Sequence, residues 1–279
     1  MRSTGSSPKA TTTGINTRLG DHQTSSAGAF LSTPLHFSII VTGWNCADQA
    51  EACFQSIITQ EGSFDYDIFW LDDASDDRTP EVIQPFANNP RLHLFSHSTN
   101  RGAACCRWRL LGEVRDPQSI CVLVDMDDRL APGALRIVAD VYRSNPDCWL
   151  TYGNFIGDSG KVCQVAFYDF QTKQKKLYRS QRTFRCSPLR TFRRFLLEGL
   201  TDADFQDDEG NWLLICTDVA LMWPLLERCR PHNIVEIDRP IYVYNRDRTW
   251  STLARFGNTR KQKTMQLLSE RPVKPHLEP

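Results

Sequence analysis

Short apolar runs alternate with amphipathic segments through the first half of the chain. Three largely apolar runs, Phe37–Val41, Ile68–Leu71 and Ile120–Val124, predict strands that are buried on both faces. Apolar residues recur with helical period over residues 50–58, and Arg91–His97 alternates as a further strand would. Strands that alternate with helices predict an α/β fold, with a mostly parallel central sheet and helices on both faces.

Acidic residues follow two of the apolar runs directly. Asp72 and Asp73 follow the second run, and Asp125, Asp127 and Asp128 follow the third. Carboxylates grouped at the end of a buried strand repel one another unless a cation or solvent lies among them. Carboxylate oxygens are also the ligands that hard divalent cations prefer. The second acidic group therefore predicts a metal-binding strand end.

Polar residues at the ends of different strands are expected to meet in space. In open α/β sheets the ligand binds outside the carboxyl ends of the strands. Thr42 follows the first apolar run, just as Asp73 and Asp125 follow the later ones. We therefore expect these three residues to converge on one site.

The composition changes along the chain and divides it into parts. Residues 1–34 are rich in Ser, Thr and Gly and have no apolar period, which predicts a disordered tail. Within residues 161–194, ten Lys or Arg stand against Asp169 alone, with aromatic residues between them. This mixture could bind single-stranded nucleic acid, anionic lipid or an acidic glycan, but it is more typical of a mobile loop with a solvated face. Residues 247–279 form a polar, basic extension.

Charge and cysteine usage exclude several classes of protein. The 33 basic residues balance 33 acidic ones, so no nucleic-acid partner is expected, and no apolar run reaches the roughly 20 residues of a membrane span. The ten cysteines form no C-x-x-C pair and do not combine with His at zinc-ligand spacing. They predict core thiols in a reducing, cytoplasmic compartment. The acid-poor tail is also compatible with an organelle transit peptide.

Four sequence blocks carry a more specific signal. In their order and at their intervals they resemble the family 2 glycosyltransferases with the GT-A fold, strongly over residues 36–155 and more loosely over residues 185–246. The blocks are SIIVTGWN at 38–45, DIFWLDDASDDRT at 67–79, NRGAACCR at 100–107 and LVDMDDRLAPGAL at 123–135.

The resemblance implies a fold and an activity. It implies a GT-A domain with a Rossmann-like, mostly parallel sheet, in which residues 35–155 bind a nucleotide-sugar and residues 156–246 bind the acceptor. The implied reaction is inverting and uses Mn²⁺ or Mg²⁺. It transfers a sugar from a nucleotide-sugar, in the first instance a UDP-sugar, to a hydroxyl of a glycan or other acceptor. The basic stretch is then expected to shape the acceptor site.

The resemblance also implies donor-binding roles. Thr42 and Asp73 would contact the base and ribose, with Asp73 accepting a hydrogen bond from the pyrimidine N–H. Arg107 would face the donor diphosphate. Asp125 and Asp127 would be the D-x-D pair of the family.

The resemblance assigns metal binding and proton removal to further carboxylates. Asp127 and Asp128 would hold the metal, which stabilises the leaving nucleoside diphosphate. An inverting transfer needs a general base for the acceptor hydroxyl. Asp218 best matches the family's base, with Asp207 and Asp208 as its rivals.

Two other functions remain open from the sequence. The central block also resembles haloacid-dehalogenase-like phosphatases, with Asp125 as nucleophile and Asp127 as acid. In that family the motif usually lies on the first strand, whereas three strands precede it here, and Arg129 replaces the usual hydroxyl residue. The other alternative is a non-catalytic protein that keeps the nucleotide-sugar site but lacks the base. The absence of a G-x-G-x-x-G motif and of a P-loop disfavours dinucleotide and ATP enzymes.

Overall fold

The structure, a computed structural model, describes residues 35–157, 159–181, 183–245 and 252–277. The predicted disordered tail, residues 1–34, lies outside this range. The strands are β1 (Leu35–Gly43), β2 (Phe64–Asp72), β3 (Leu92–Ser96), β4 (Ile120–Asp125), β5 (Arg129–Leu130), β6 (Leu150–Gly153), β7 (Phe155–Gly157), β8 (Val162–Cys163), β9 (Arg190–Arg193), β10 (Ile234–Ile237) and β11 (Tyr242–Tyr244). The α-helices are α1 (Ala47–Ile58), α2 (Thr79–Ile83), α3 (Ala103–Glu113), α4 (Ala134–Ser144), α5 (Phe170–Gln174), α6 (Thr217–Arg228) and α7 (Thr252–Glu270).

The main sheet has the strand order β10-β6-β9-β4-β1-β2-β3. Strands β4, β1, β2 and β3 run parallel to one another. Strand β9 lies antiparallel between β4 and β6, and β10 pairs in parallel with β6. The prediction of a mostly parallel central sheet is confirmed.

Helices cover both faces of this sheet. Ile40 of β1 packs in a core cluster with residues of α3 and α6, whereas Ile39 and Val41 pack in a second cluster with α1 and α4. Successive side chains of a strand point to opposite faces, so a strand between two helical layers must be apolar throughout. Full burial of each such side chain contributes about 1.5–3 kcal/mol, which explains the continuous apolar runs in the sequence.

A second, four-stranded sheet has the order β5-β11-β7-β8. Strand β11 pairs antiparallel with β5, and this register sets Tyr242 opposite Leu130. Because β5 follows the acidic group at the end of β4 almost immediately, the small sheet brings the residues near 242 to the same edge of the main sheet.

The basic stretch, residues 161–194, contains regular elements and paired cations, so it is more than a solvated face. It contains β8, α5 and β9, an interior strand of the main sheet. Its cations pair with distant carboxylates: Arg179 contacts Glu227 at 2.5 and 2.8 Å, and Lys173 forms an ion pair with Glu236. The acidic partners lie 48 and 63 residues further along the chain, so a local count of charge could not reveal them.

The C-terminal extension is also more ordered than its composition indicates. Residues 252–270 form α7, which is kinked at Gly257, where φ is +75°. Leu268 of this helix is buried in the same core cluster as α6. The helix therefore belongs to the core, although most of the segment is polar.

Eight of the ten cysteines are buried, as the prediction of core thiols requires. Among the residues that the structure describes, no helix is both long enough and apolar enough to cross a bilayer.

Replacement of Gly153 by Ala tests the fit of β6 against β10. A Cβ at this position would lie 2.6 Å from the carbonyl oxygen of Ile237, and backbone cannot move aside as a flexible side chain can. We expect Gly153→Ala to lower the free energy of unfolding by about 1–3 kcal/mol in urea denaturation.

Gly112→Ala is the matched control. Gly112 is exposed in α3, and an added Cβ would meet no described atom within 4 Å. Alanine there should leave stability unchanged or raise it by up to about 1 kcal/mol. Equal effects of the two substitutions would contradict the packing described for β6.

Candidate active site

A cleft of about 1010 Å³ opens at the carboxyl edge of the main sheet. The ends of β1, β2 and β4 form its floor, and the first turns of α3 and α6 form part of its wall. Six of the predicted site residues lie on its surface: Thr42, Asp73, Arg107, Asp125, Asp127 and Asp218. The expected convergence of the strand ends is therefore observed.

Strand register and one glycine set the D-x-D segment against β1. Thr42 stands opposite Asp125, and the Met126 N–H donates to the Thr42 carbonyl at 3.0 Å. A Cβ on Gly43 would lie 2.4 Å from the Cβ of Met126. Only glycine allows this approach, because any side chain would push Met126 away and move Asp127 with it.

The carboxylate of Asp73 holds the turn that begins α3. Asp73 is only 3% exposed. It accepts hydrogen bonds from the backbone N–H groups of Arg101 and Gly102, the shortest at 2.7 Å, and from Nδ1 of His97 at 2.8 Å. Asn100 donates to the Asp73 carbonyl at 3.2 Å. Asp73 thus fixes a turn whose Asn100 and Gly102 line the cleft.

Asp73, His97 and Cys106 form a cluster whose potential ligand atoms lie within 4.8 Å of one another. Spacing along the sequence did not suggest such a cluster. Burial, followed by the negative charge of Asp73, raises the pKa of the Cys106 thiol far above its ordinary value. A protonated thiol is a poor metal ligand, and Asp73 already accepts several N–H groups. The contacts describe a hydrogen-bonded cluster that orients the turn.

Arg107 joins two elements at the centre of the cleft. Its guanidinium forms an ion pair with Asp125 and donates to Oγ1 of Thr217 at 2.9 Å. Burial alone would lower the pKa of Arg107, but the carboxylates of Asp125 and Asp218 outweigh it and raise the pKa above its usual value. The arginine is therefore a permanent positive charge between β4 and the start of α6.

The two carboxylates predicted to bind metal lie in different surroundings. Asp127 lines the cleft, whereas Asp128 is 1% exposed and does not. Asp128 accepts hydrogen bonds from the Tyr242 hydroxyl and the Asn245 N–H, both at 2.8 Å. Burial and then the charges of Asp127 and Asp125 raise the pKa of Asp128 well above its usual value. The structure thus assigns Asp128 to the interior and leaves Asp127 at the cleft.

Tyr242 is a site residue that the sequence reasoning missed. Its hydroxyl donates to Asp128 and accepts from the Asp125 N–H at 3.1 Å, so one side chain fixes both ends of the acidic segment. The run Ile241–Tyr244 is apolar and aromatic, which is typical of a strand but does not distinguish a core tyrosine from one that contacts the site.

Asp218, the predicted base, lies in the first turn of α6 and is paired. Its Oδ2 accepts from Arg190 at 3.0 Å, and its Oδ1 accepts from the Val219 N–H at 3.0 Å. Its side chain keeps 32% of its surface exposed. The carboxylate is therefore held in place and remains accessible from the cleft.

The rival carboxylates Asp207 and Asp208 do not lie on the cleft. Asp207 closes a surface turn by accepting from the backbone N–H groups of Asn211 at 2.8 Å and Glu209 at 3.1 Å. These bonds, the one from Asn211 first, lower its pKa, and a carboxylate of low pKa is a weak base. Asp208 is exposed on the same turn.

Helix α7 forms another wall that was not predicted. Asn258, Lys261, Gln262 and Met265 line the cleft. Their spacing of i, i+3, i+4 and i+7 corresponds to one face of a helix. That spacing was a detectable signal, but three of the four residues are polar and a search for apolar periodicity passes over them.

Comparisons with known proteins agree with the fold. The profile of Glycosyl transferase family 2 matches residues 38–201, more than half of the chain. The solved structure of S. aureus TarS 1–349 in complex with UDP-GlcNAc matches with a TM-score of 0.62 and 19% identity, over 84% of this chain and 65% of that one. The same fragment with UDP matches with a TM-score of 0.55 and 17% identity, over 76% and 60%. The longer TarS structure matches with a TM-score of 0.57 and 19% identity.

The matched structures are longer than this chain. The chain spans 65% of the TarS fragment and 37% of the longer TarS chain. At 17–19% sequence identity the structural similarity supports the fold alone, and it confirms the predicted GT-A architecture. The family match confirms the resemblance seen in the four sequence blocks.

Replacement of Tyr242 by Phe tests the contact between the small sheet and the acidic segment. It removes the hydroxyl that accepts from the Asp125 N–H and donates to Oδ2 of Asp128, while the Asn245 N–H still donates to Oδ1. Loss of a hydrogen bond by a buried polar group costs about 1–3 kcal/mol. We expect Tyr242→Phe to lower the free energy of unfolding by that amount in chemical denaturation.

Tyr178→Phe provides the control. Tyr178 is also buried, but its hydroxyl has no hydrogen-bond partner within the described part of the chain. Loss of this hydroxyl should change stability by less than about 0.5 kcal/mol. If both variants were as stable as the wild type, Tyr242 would not organise the acidic segment.

Proposed function

Because the chain belongs to glycosyl transferase family 2, we propose that it is an inverting, metal-dependent glycosyltransferase that moves a sugar from a UDP-sugar to an acceptor hydroxyl. The observation that carries this proposal is the joint presence of Asp127, Arg107 and Asp218 on one cleft. A transferase needs a cation-binding carboxylate, a positive charge for the leaving diphosphate and a base for the acceptor, and each residue meets one of these needs.

The nucleotide end of the cleft is proposed to lie at β1 and β2. Thr42 lies at the carboxyl end of β1, one residue before Gly43, and is 5% exposed, and Asp73 holds the turn of Asn100 and Gly102. We assign these residues to the base and ribose. UDP is the preferred nucleotide in the proposal because S. aureus TarS 1–349 was solved with UDP and with UDP-GlcNAc.

The diphosphate and its metal are assigned to the centre of the cleft. Asp127 offers carboxylate oxygens there, the hard donor type that suits Mn²⁺ or Mg²⁺, whereas the Asp73 cluster contains a thiol and is already hydrogen-bonded. Such a cation would supply positive charge to the leaving diphosphate. Arg107 has five N–H donors and uses two guanidinium nitrogens on Asp125 and Thr217, so it retains donors for a phosphate oxygen.

Asp218 is proposed to take the proton from the acceptor hydroxyl. As that hydroxyl oxygen forms a bond to the anomeric carbon, the bond to the nucleoside diphosphate breaks on the opposite face, which inverts the configuration. Each carboxylate oxygen can accept two hydrogen bonds. The contacts with Arg190 and Val219 use one position on each oxygen and leave capacity for the acceptor.

The acceptor is proposed to enter between the basic stretch and α7. Thr183 and Phe184 line the cleft beside Arg190, and residues of α7 face it. This arrangement supports residues 156–246 as the acceptor half, with α7 as an addition to it. The balanced charge of the chain supports a glycan or other hydroxyl acceptor over a nucleic acid, and its buried thiols support a reducing, cytoplasmic location.

One observation favours a second candidate, a non-catalytic nucleotide-sugar binder. The Arg190 ion pair occupies one side of Asp218, which is the arrangement expected of a purely structural carboxylate. The phosphatase alternative has no comparable support, because the family match is to transferases and Asp125 is paired with Arg107.

Asp218→Asn separates a transferase from a binder. The amide keeps the shape of the side chain but cannot accept a proton, so UDP release from UDP-GlcNAc and a panel of other UDP-sugars should fall by about 10²–10⁴-fold. Binding of UDP with Mn²⁺, measured by calorimetry, should remain within about twofold of the wild type, since the base does not contact the nucleotide.

Asp207→Asn and Asp208→Asn are the controls, because both carboxylates lie on the surface turn. They should release UDP at the wild-type rate. Full turnover by Asp218→Asn together with loss in one of the controls would move the base to that residue. Binding of UDP by a wild-type protein that turns over no donor would favour the non-catalytic binder.

A further inference from the structure

Arg190 lies beside the proposed base and has no role in the scheme above. We propose that Arg190 is a positioning residue, which holds the Asp218 carboxylate in the orientation needed to receive the acceptor proton. This inference rests on the proposed function and adds a residue from the basic stretch to it.

Three contacts fix the Arg190 guanidinium. It donates to Asp218 Oδ2 at 3.0 Å through one terminal nitrogen and to the Cys186 carbonyl at 2.7 Å through Nε. It also lies over the ring of Phe184, 5.8 Å from the ring centre. The side chain is only 11% exposed. A guanidinium held at both ends presents a fixed partner to the carboxylate, because its planar fork leaves little freedom once placed.

The main sheet fixes the backbone of Arg190. In the register of β9 with β4, Arg190 stands opposite Leu123, two residues before Asp125. Strand β9 is paired on both edges, with β4 and with β6. The strand that ends in the D-x-D segment therefore also sets the distance between that segment and Arg190.

A second arginine, Arg107, holds the start of α6 from the side of the proposed nucleotide-sugar site. Arg107 donates to Thr217, the residue before Asp218, while it pairs with Asp125. The first turn of α6 is thus held between Arg107 on α3 and Arg190 on β9. Within the described residues, the other hydrogen bond of the Asp218 side chain, from the Val219 N–H, lies within the same turn and cannot orient the helix against the sheet.

The contacts of Arg190 differ from those expected of a residue that binds the donor. Its charge is directed at Asp218, and its Nε is used on a backbone carbonyl, so its expected effect passes through the base. A base that is misplaced by about 1 Å can lose about 10²-fold in rate. Loss of Arg190 should therefore slow turnover without weakening UDP binding.

A double-mutant cycle tests this inference. Arg190→Gln, Asp218→Asn and the double variant are compared with the wild type for UDP release from the UDP-sugar that the wild-type protein turns over best. If Arg190 acts through Asp218, Arg190→Gln should lose about 10²-fold, and the double variant should be no slower than Asp218→Asn. Arg190→Lys should recover part of the loss, because it restores one donor and the charge.

Arg193→Gln is the matched control on the same strand. Arg193 donates to the Gln118 carbonyl and does not line the cleft, so this variant should keep the wild-type rate within about twofold. Calorimetry with UDP and Mn²⁺ should give equal affinities for the wild type and Arg190→Gln, which also shows that the variant is folded.

Two results would overturn this inference and leave the proposed function intact. They are rate losses that multiply in the double variant, and a loss of UDP affinity of tenfold or more in Arg190→Gln. The first would give Arg190 an effect independent of the base, and the second would make it a donor ligand. A wild-type protein without UDP release would overturn the proposed function, and this inference with it.

Discussion

Repulsion among carboxylates gathered at one edge of the sheet is the constraint on which the site depends. The fold compensates four of these carboxylates by hydrogen bonds, by ion pairs or by burial. Asp73 accepts backbone N–H groups, Asp125 pairs with Arg107, and Asp218 pairs with Arg190. Asp128 is buried against Tyr242, where its pKa is raised. The compensating groups come from the turn before α3, from α3 itself, from β9 and from β11, so the site combines segments that are distant in the chain.

The need for compensating groups explains the role of β9, the second sheet and α7, which lie outside the parallel part of the main sheet. Strand β9 interrupts the parallel order of the sheet and carries Arg190 to the cleft, and the small second sheet carries Tyr242 to the acidic segment. Helix α7 then closes one side with polar residues. The ends of the parallel strands supply Asp73, Asp125 and Asp127, whereas the antiparallel strand and the second sheet supply Arg190 and Tyr242.

The sequence predicted the parts of the site whose signal is local. Apolar runs that end in acids located Asp73, Asp125 and Asp127, because strand ends and the residues after them are adjacent in the chain. Arg190 and Tyr242 carried no such signal, since their partners lie 28 and over 110 residues away. The burial of Asp128 depends on β11, so no inspection of residues 125–128 could separate it from Asp127.

The most direct test of the proposed donor site is a thermal-shift series with UDP, GDP and dTDP, each with and without Mn²⁺, on the wild type and Asp127→Ala. A ligand that binds only the folded state at 100 times its dissociation constant adds about 2.7 kcal/mol to stability, which raises the melting temperature by several degrees. We predict a manganese-dependent shift with UDP that is lost in Asp127→Ala. No shift with any nucleotide, or an equal shift in the variant, would contradict it.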